Sequence, residues 1–451
     1  MGLQVGEAVE VTTEDVAQGG WCVARPAGLP VLFVRHALPG ERVLARVTEV
    51  TTRFARADAV QVREPSPDRV APPCSYAHPG GCGGCDWQHA SLPAQRALKA
   101  AVIAEQLRRL AGIDREVTVE PMPGDETGLG WRTRVQFAVR ADGTAGLRAH
   151  RSHEIVEIAD CLIAHPGISD LGITRRSWPG IATVEAAVGD EARAVILTPD
   201  RSSRSSRTYP ADSPPSPSLP RRAGEVPAET VSPATSSLPR LADQVPAETV
   251  LSRTGRRLTP LRGRPHLTQH AAGRKWRVSA GGFWQVHPAA ADTLSEAVLA
   301  ALAPGPGDTA VDLYCGAGLF AGAVAPAVGP GGAVTGVEED TAAVRDARHN
   351  LRDFPWVQVR RGDVARLARQ GELPRARLVV ADPPRAGLAR EVTGYLAGGA
   401  AERFAYVSCD PATLARDLGL LLAAGWRLAG LRAFDAFPMT HHVECVAALT
   451  R

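Results

Sequence analysis

Apolar and polar residues alternate in short runs at the start of the chain. Val5 to Val11, Trp21 to Arg25, Val31 to Val34 and Glu41 to Val50 read as strands, with turns at Gly19-Gly20, Pro26 to Pro30 and Leu38-Pro39-Gly40. This pattern over residues 1–62 predicts a small β-barrel of the OB type, a fold often used on single-stranded nucleic acid; a β-module with no ligand fits it equally. From Ser91 to Ala111 the period changes. Leu92, Ala97, Leu98, Val102, Ile103 and Leu107 recur between Lys, Arg and Glu, which predicts a helix. Strand-like alternation returns at Arg132 to Val139, Thr144 to Ala149 and Ile155 to Ile158, so residues 63–195 form a central α+β domain.

The periodicity then stops. Residues 196–265 are dense in Pro, Ser and Arg and hold a near-duplicate, Ser218 to Val231 and Ser237 to Val250. Two copies are too few for a solenoid, and such a composition buries too little apolar surface to offset chain ordering. A disordered insertion is expected.

Residues 266–451 alternate strands with helices. Strands are expected at Thr309 to Tyr314, Ala333 to Glu338, Val357 to Arg360, Leu378 to Asp382, Phe404 to Ser408, Leu428 to Phe434 and Val443 to Leu449, and helices at Leu319 to Val328, Thr341 to Asp353, Ala389 to Ala397 and Pro411 to Ala424. That alternation implies a doubly wound parallel α/β sheet. Only a turn region, Asp435 to His442, separates the last two strands, so they should pair antiparallel. Such an ending marks the class I methyltransferase fold.

Composition narrows the setting. Apolar content of 44% and charged content of 22% suit a soluble globular protein, and 451 residues allow two or three domains. No apolar run is long enough to span a membrane, and the N-terminus lacks the regions of a signal peptide. A cytoplasmic monomer is expected. The net charge of +3 says little about partners, because Lys99 and Lys275 are the only lysines among 51 basic residues, a skew that reflects coding bias. Eight cysteines in such a chain do not suggest disulfides. The crowding of Cys74, Cys82 and Cys85 suggests metal binding.

Candidate chemistry gathers at strand ends, where ligands bind in open α/β sheets. Gly316 lies in a glycine turn after the first strand and lets a ligand approach the backbone. Glu338 ends the second strand, where an acid can take both hydroxyls of an adenosine ribose, and Asp363 follows the third, at the adenine end. Helix capping is the plainer role for both. Asp382 begins Asp382-Pro383-Pro384-Arg385, a stiff floor for a planar base. Cys409 stands where strand breaks into helix. A thiol there gains thiolate character from the helix N-terminus, or is a small buried hydrophobe.

Taken with Phe283-Trp284-Gln285-Val286, Asp312 to Gly318, Val407 to Pro411 and His442-Val-Glu-Cys445, the chain resembles the RNA uracil-C5 methyltransferase family. The N-terminal strands resemble that family's TRAM domain. The resemblance implies an S-adenosylmethionine-dependent enzyme acting on tRNA or large-subunit rRNA. It implies Gln285, Tyr314, Glu338 and Asp382 at the cofactor site, Cys409 as nucleophile and Glu444 as base. It also implies that Cys74, Cys82, Cys85 and Cys161 hold a [4Fe–4S] cluster, with zinc as the alternative. The gap between Cys74 and Cys82 exceeds that of many members, and Gly80 and Gly81 can absorb the excess. Two rival readings are an RNA cytosine-C5 methyltransferase, which would carry a cysteine in the Asp382-Pro-Pro-Arg385 motif, and an RNA-binding redox protein with a vestigial transferase domain.

Overall fold

The computed structural model describes residues 3–200 and 233–451. Its C-terminal half is built on an eight-stranded sheet. The order is Val357–Arg361, Ala333–Glu338, Thr309–Leu313, Leu378–Ala381, Arg403–Ser408, Glu444–Thr450, Arg427–Phe434 and Val119–Glu120. The first five strands are mutually parallel. Glu444–Thr450 runs antiparallel to both neighbours, as its short connection requires. Leu378–Ala381 is buried at every residue and Arg403–Ser408 at all but Arg403. Strands covered on both faces read as continuous apolar runs, which is why these two stand out in the sequence.

A separate core fills each face. One joins Leu313, Val379, Phe404 and Tyr406 to Leu414, Leu418 and Leu421, and the other joins Ala405 and Val407 to Leu294, Val298, Phe320 and Val324. The helix Pro411–Ala423 shows how local sequence sets this packing. Asp410 caps it by accepting from the Thr413 amide at 2.8 Å, Pro411 opens it, and Leu414, Leu418 and Leu421 share one buried face. Burying each of these leucines stabilises the fold by about 1.5–3 kcal/mol.

The central domain is a seven-stranded sheet ordered Ile155–Glu157, Ala145–Arg148, Arg134–Val139, Ile181–Val188, Arg193–Pro199, Thr249–Thr254 and Arg257–Arg262. This corrects the disordered insertion expected at 196–265 for its described residues, 196–200 and 233–265. Thr249–Thr254 pairs parallel with Arg193–Pro199 and antiparallel with Arg257–Arg262, and Leu238, Leu241, Val245 and Val250 are buried in the same core. Four apolar side chains at usable spacing outweigh the polar composition around them. The second copy of the duplicate therefore belongs to the folded domain, and the first lies outside the described residues.

The N-terminal module is an open six-stranded sheet rather than a closed barrel. Its order runs from Ala8–Thr12 through Arg42–Val50, Phe54–Glu64, Val31–Arg35 and Trp21–Ala24 to Val16–Ala17, and no ladder joins the two ends. The last strand is only two residues long, too short to close the ring. No helix among the described residues is long and apolar enough to cross a membrane.

Candidate active site

Because the five consecutive strands are parallel, their carboxyl ends share one edge of the sheet. Tyr314, Glu338, Asp382 and Cys409 are collected there. Tyr314 holds a positive φ of 64°, uncommon for a bulky residue and a sign of local strain. Gly316 follows at φ 54°, with open space where a Cβ would lie. Its amide donates to Oε2 of Glu338 at 3.0 Å, which ties the glycine turn to the second strand. Gln285 reaches the same edge from outside the sheet, its Nε2 lying 3.5 Å from Oδ2 of Asp382. Gln285, Tyr314, Gly316, Glu338 and Asp382 thus line one end of the sheet. Asp363 is beside them in its plainer role. It caps the helix Val364–Arg369, accepting from the Arg366 amide at 2.6 Å, while its charge helps burial push the Tyr314 hydroxyl up to about 12.

Strand register brings Cys409 and Glu444 together. Ser408 lies opposite Cys445 in the last rung of the antiparallel ladder, Cys409 and Glu444 are the next residues towards that end, and the Glu444 charge acts on the Cys409 thiol. Glu444 is buried, and desolvation together with the Asp382 charge raises its carboxyl well above the usual range, against the pull of Arg385. Burial lifts Asp382 to about 7.

Cys409 departs from expectation. Burial raises its thiol to about 11, Glu444, Asp382 and Asp410 add to the rise, and Arg385 opposes it. Asp410, and not Cys409, occupies the capping position of the helix that follows. The capping carboxylate takes up an exposed amide and adds a negative charge beside the sulfur.

Arg385, Asp312 and His442 also shape the site, although no role is readable for them from sequence alone. Arg385 places a cation by the acidic group and brings Nη2 to 3.2 Å from Nε2 of His442. Its motif, Asp382-Pro-Pro-Arg385, is the available signal. Asp312 accepts from the Ala321 amide through Oδ2 at 2.8 Å, and its other oxygen is buried without a partner. Burial, with Asp382 and Glu338, raises this carboxyl to about 8.

Cys74, Cys82, Cys85 and Cys161 line a single cavity, with Gln88 and Arg132 at its wall. Burial and neighbouring thiols raise Cys82 and Cys85, and burial lifts Cys161 to about 11. Among the described residues no group of three or more His, Cys, Asp or Glu is placed to hold a metal ion, which supports neither the expected [4Fe–4S] cluster nor zinc.

Comparison with known proteins agrees with this arrangement. Residues 375–451, which include Cys409 and Glu444, match the family described as tRNA (uracil-5-)-methyltransferase, and residues 2–60 match the TRAM domain. An uncharacterized RNA methyltransferase of Streptomyces coelicolor is 50% identical, with 99% of this chain and 93% of the relative covered. One from Bifidobacterium longum is 35% identical over 98% of this chain and 96% of its own length. Among solved structures, Pyrococcus abyssi tRNA (uracil-54, C5)-methyltransferase in complex with S-adenosyl-L-homocysteine superposes with a TM-score of 0.69. It is 21% identical, covers 98% of this chain and 99% of its own, and shares the fold.

Proposed function

The chain belongs to the RNA uracil-C5 methyltransferase family, and from that premise we propose that it methylates C5 of a uridine in RNA through a covalent bond between Cys409 and C6 of the base. The observation that carries this reading is that Cys409 and Glu444 lie just beyond the last rung, Ser408 opposite Cys445, near enough for the Glu444 charge to act on the thiol.

Uracil C5 is a weak carbon nucleophile. Attack of the Cys409 thiolate on C6 forms a C–S bond and moves the ring electrons into an enolate, which makes C5 reactive. S-adenosylmethionine, when bound, supplies an electrophilic methyl group for that carbon. Gln285, Tyr314, Gly316, Glu338, Asp363 and Asp382 would hold it, and the open space above Gly316 leaves room for a ligand. After methylation the Glu444 carboxylate takes the C5 proton, the C5–C6 double bond re-forms, and the sulfur leaves. A base inside folded RNA must first be flipped out of its stack to reach this pocket.

In this reading Cys74, Cys82, Cys85 and Cys161 would hold a [4Fe–4S] cluster, and what supports it is that all four line one cavity. Methyl transfer requires no electrons from it.

The test is direct. Protein, labelled S-adenosylmethionine and RNA are combined, and the digested nucleosides are separated. The wild type should yield 5-methyluridine and Cys409→Ala none. Label in 5-methylcytidine would favour the cytosine reading, and turnover by Cys409→Ala would remove the covalent mechanism.

A further inference from the structure

The turn between the last two strands leads straight into Glu444, and it is gripped by parts of the chain more than three hundred residues away. Oδ2 of Asp86 accepts from the His441 amide at 3.1 Å and meets Nδ1 of the same histidine at 2.6 Å. The amides of Asp86 and Trp87 both donate to the Met439 carbonyl, at 2.9 and 3.0 Å. Met439 has a positive φ of 66°, a strained conformation that these bonds help to hold. His441 packs on His442 with ring centroids 4.0 Å apart, and His442 touches Arg385. An unbroken run of contacts therefore joins Asp86 to the cation beside Cys409.

The N-terminal module enters the same junction. Trp87 Nε1 donates to the Gly20 carbonyl at 3.2 Å. A side chain at Gly20 would meet the Cβ atoms of Asp86 and His441 at 3.1 Å each, and φ there is +82°, so only glycine fits without strain. Two residues earlier, Nε2 of Gln18 donates to Oδ2 of Asp410 at 3.1 Å. Asp410 follows Cys409 and caps its helix with the other oxygen.

We propose that Gln18, Gly20, Asp86 and His441 form a positioning junction through which the N-terminal module and the cysteine loop fix the geometry of Cys409 and Glu444. The N-terminal module then has a second task besides contacting RNA, because it completes the catalytic architecture. The inference rests on the roles assigned above to Cys409 and Glu444. It separates from simple RNA binding by its kinetic signature. A surface that only holds RNA acts on KM, whereas loss of alignment between reacting groups acts on kcat, and a misplacement of about 1 Å costs on the order of 100-fold.

The experiment compares full-length wild type with Gln18→Ala, Asp86→Ala and Asp86→Asn. One arm measures kcat and KM for RNA. The other measures alkylation of Cys409 by iodoacetamide without RNA, read by peptide mass spectrometry. Asp86→Ala should lower kcat by about 10- to 100-fold with KM for RNA within about twofold, and should change the alkylation rate several-fold. Asp86→Asn, which keeps an acceptor for His441, should recover much of both. Gln18→Ala alters one hydrogen bond at a partly exposed side chain, so it keeps the test valid should Asp86→Ala fold poorly; a several-fold loss in kcat is expected. Effects confined to KM, or unchanged kcat and alkylation in Gln18→Ala, would overturn the proposal. Should the wild type methylate no uridine, the function fails, and the alkylation arm still decides the junction.

Discussion

Lys99 and Asp435 stand 336 residues apart in the chain and meet as a buried ion pair, with side-chain exposures of 0% and 3%. Lys99 also donates to the Phe437 carbonyl at 3.0 Å, so one lysine holds the start of the turn that leads to Glu444.

Removing one partner of such a pair leaves an uncompensated buried charge, which costs about 3–5 kcal/mol. Lys99→Met should lower stability by that order, and Lys99→Met combined with Asp435→Asn should recover a good part of it. Urea unfolding of the three proteins checks this. Equal losses in the single and double variants would mean that packing, and not charge, carries the effect.

Glu444→Gln should permit C–S bond formation and block elimination. The variant is expected to accumulate a protein–RNA species that survives denaturing electrophoresis, with turnover reduced by about 100- to 10,000-fold, the usual worth of a positioned general base. Near-normal turnover with no such species would assign the proton to another group.

The Cys409 thiol, lifted to about 11, should be alkylated slowly at neutral pH, with a rate rising about tenfold for each pH step until it levels near that value. A cation placed among Asp382, Glu444 and Asp410 would offset the charges that raise it. S-adenosylmethionine, a sulfonium, should therefore shift the alkylation profile to lower pH, and neutral S-adenosylhomocysteine should not. Matching profiles with the two ligands would exclude activation by charge.

Asp312 supplies a pH signature of stability. Its folded value of about 8 lies above the ordinary 3.8, so the folded state keeps a proton that the unfolded chain releases. The stabilisation linked to that proton is complete below about pH 4 and declines as pH rises through about 8. Asp312→Asn removes this dependence. The wild type should lose stability relative to the variant between pH 5 and 8.5, by an order of a few kcal/mol. A constant difference across that range, measured by urea midpoints, would show that the carboxyl is ionised throughout.

How far the sequence could be read depended on range. The parallel sheet was legible because Leu378–Ala381 and Arg403–Ser408 are apolar throughout and alternate with helical segments. Cys409, Glu444 and Asp382 could be placed at strand ends for the same reason. The thiol's ionisation could not, since it depends on carboxylates brought in from other strands and on which neighbour caps the helix. Asp86 and His441 are 355 residues apart, and nothing in either local sequence announces the other. Arg257–Arg262 was hidden by Pro260, which a strand tolerates at a sheet edge, where this one lies.

The parallel pairing of Arg193–Pro199 with Thr249–Thr254 carries a practical consequence. Parallel neighbours need a crossover of at least about a dozen residues, and here the connection runs over residues 200–248 and includes the helix Pro233–Asp243. Loop closure over that length must precede any ladder bond between the two strands, so this pairing should be a slow step when the protein is refolded from denaturant.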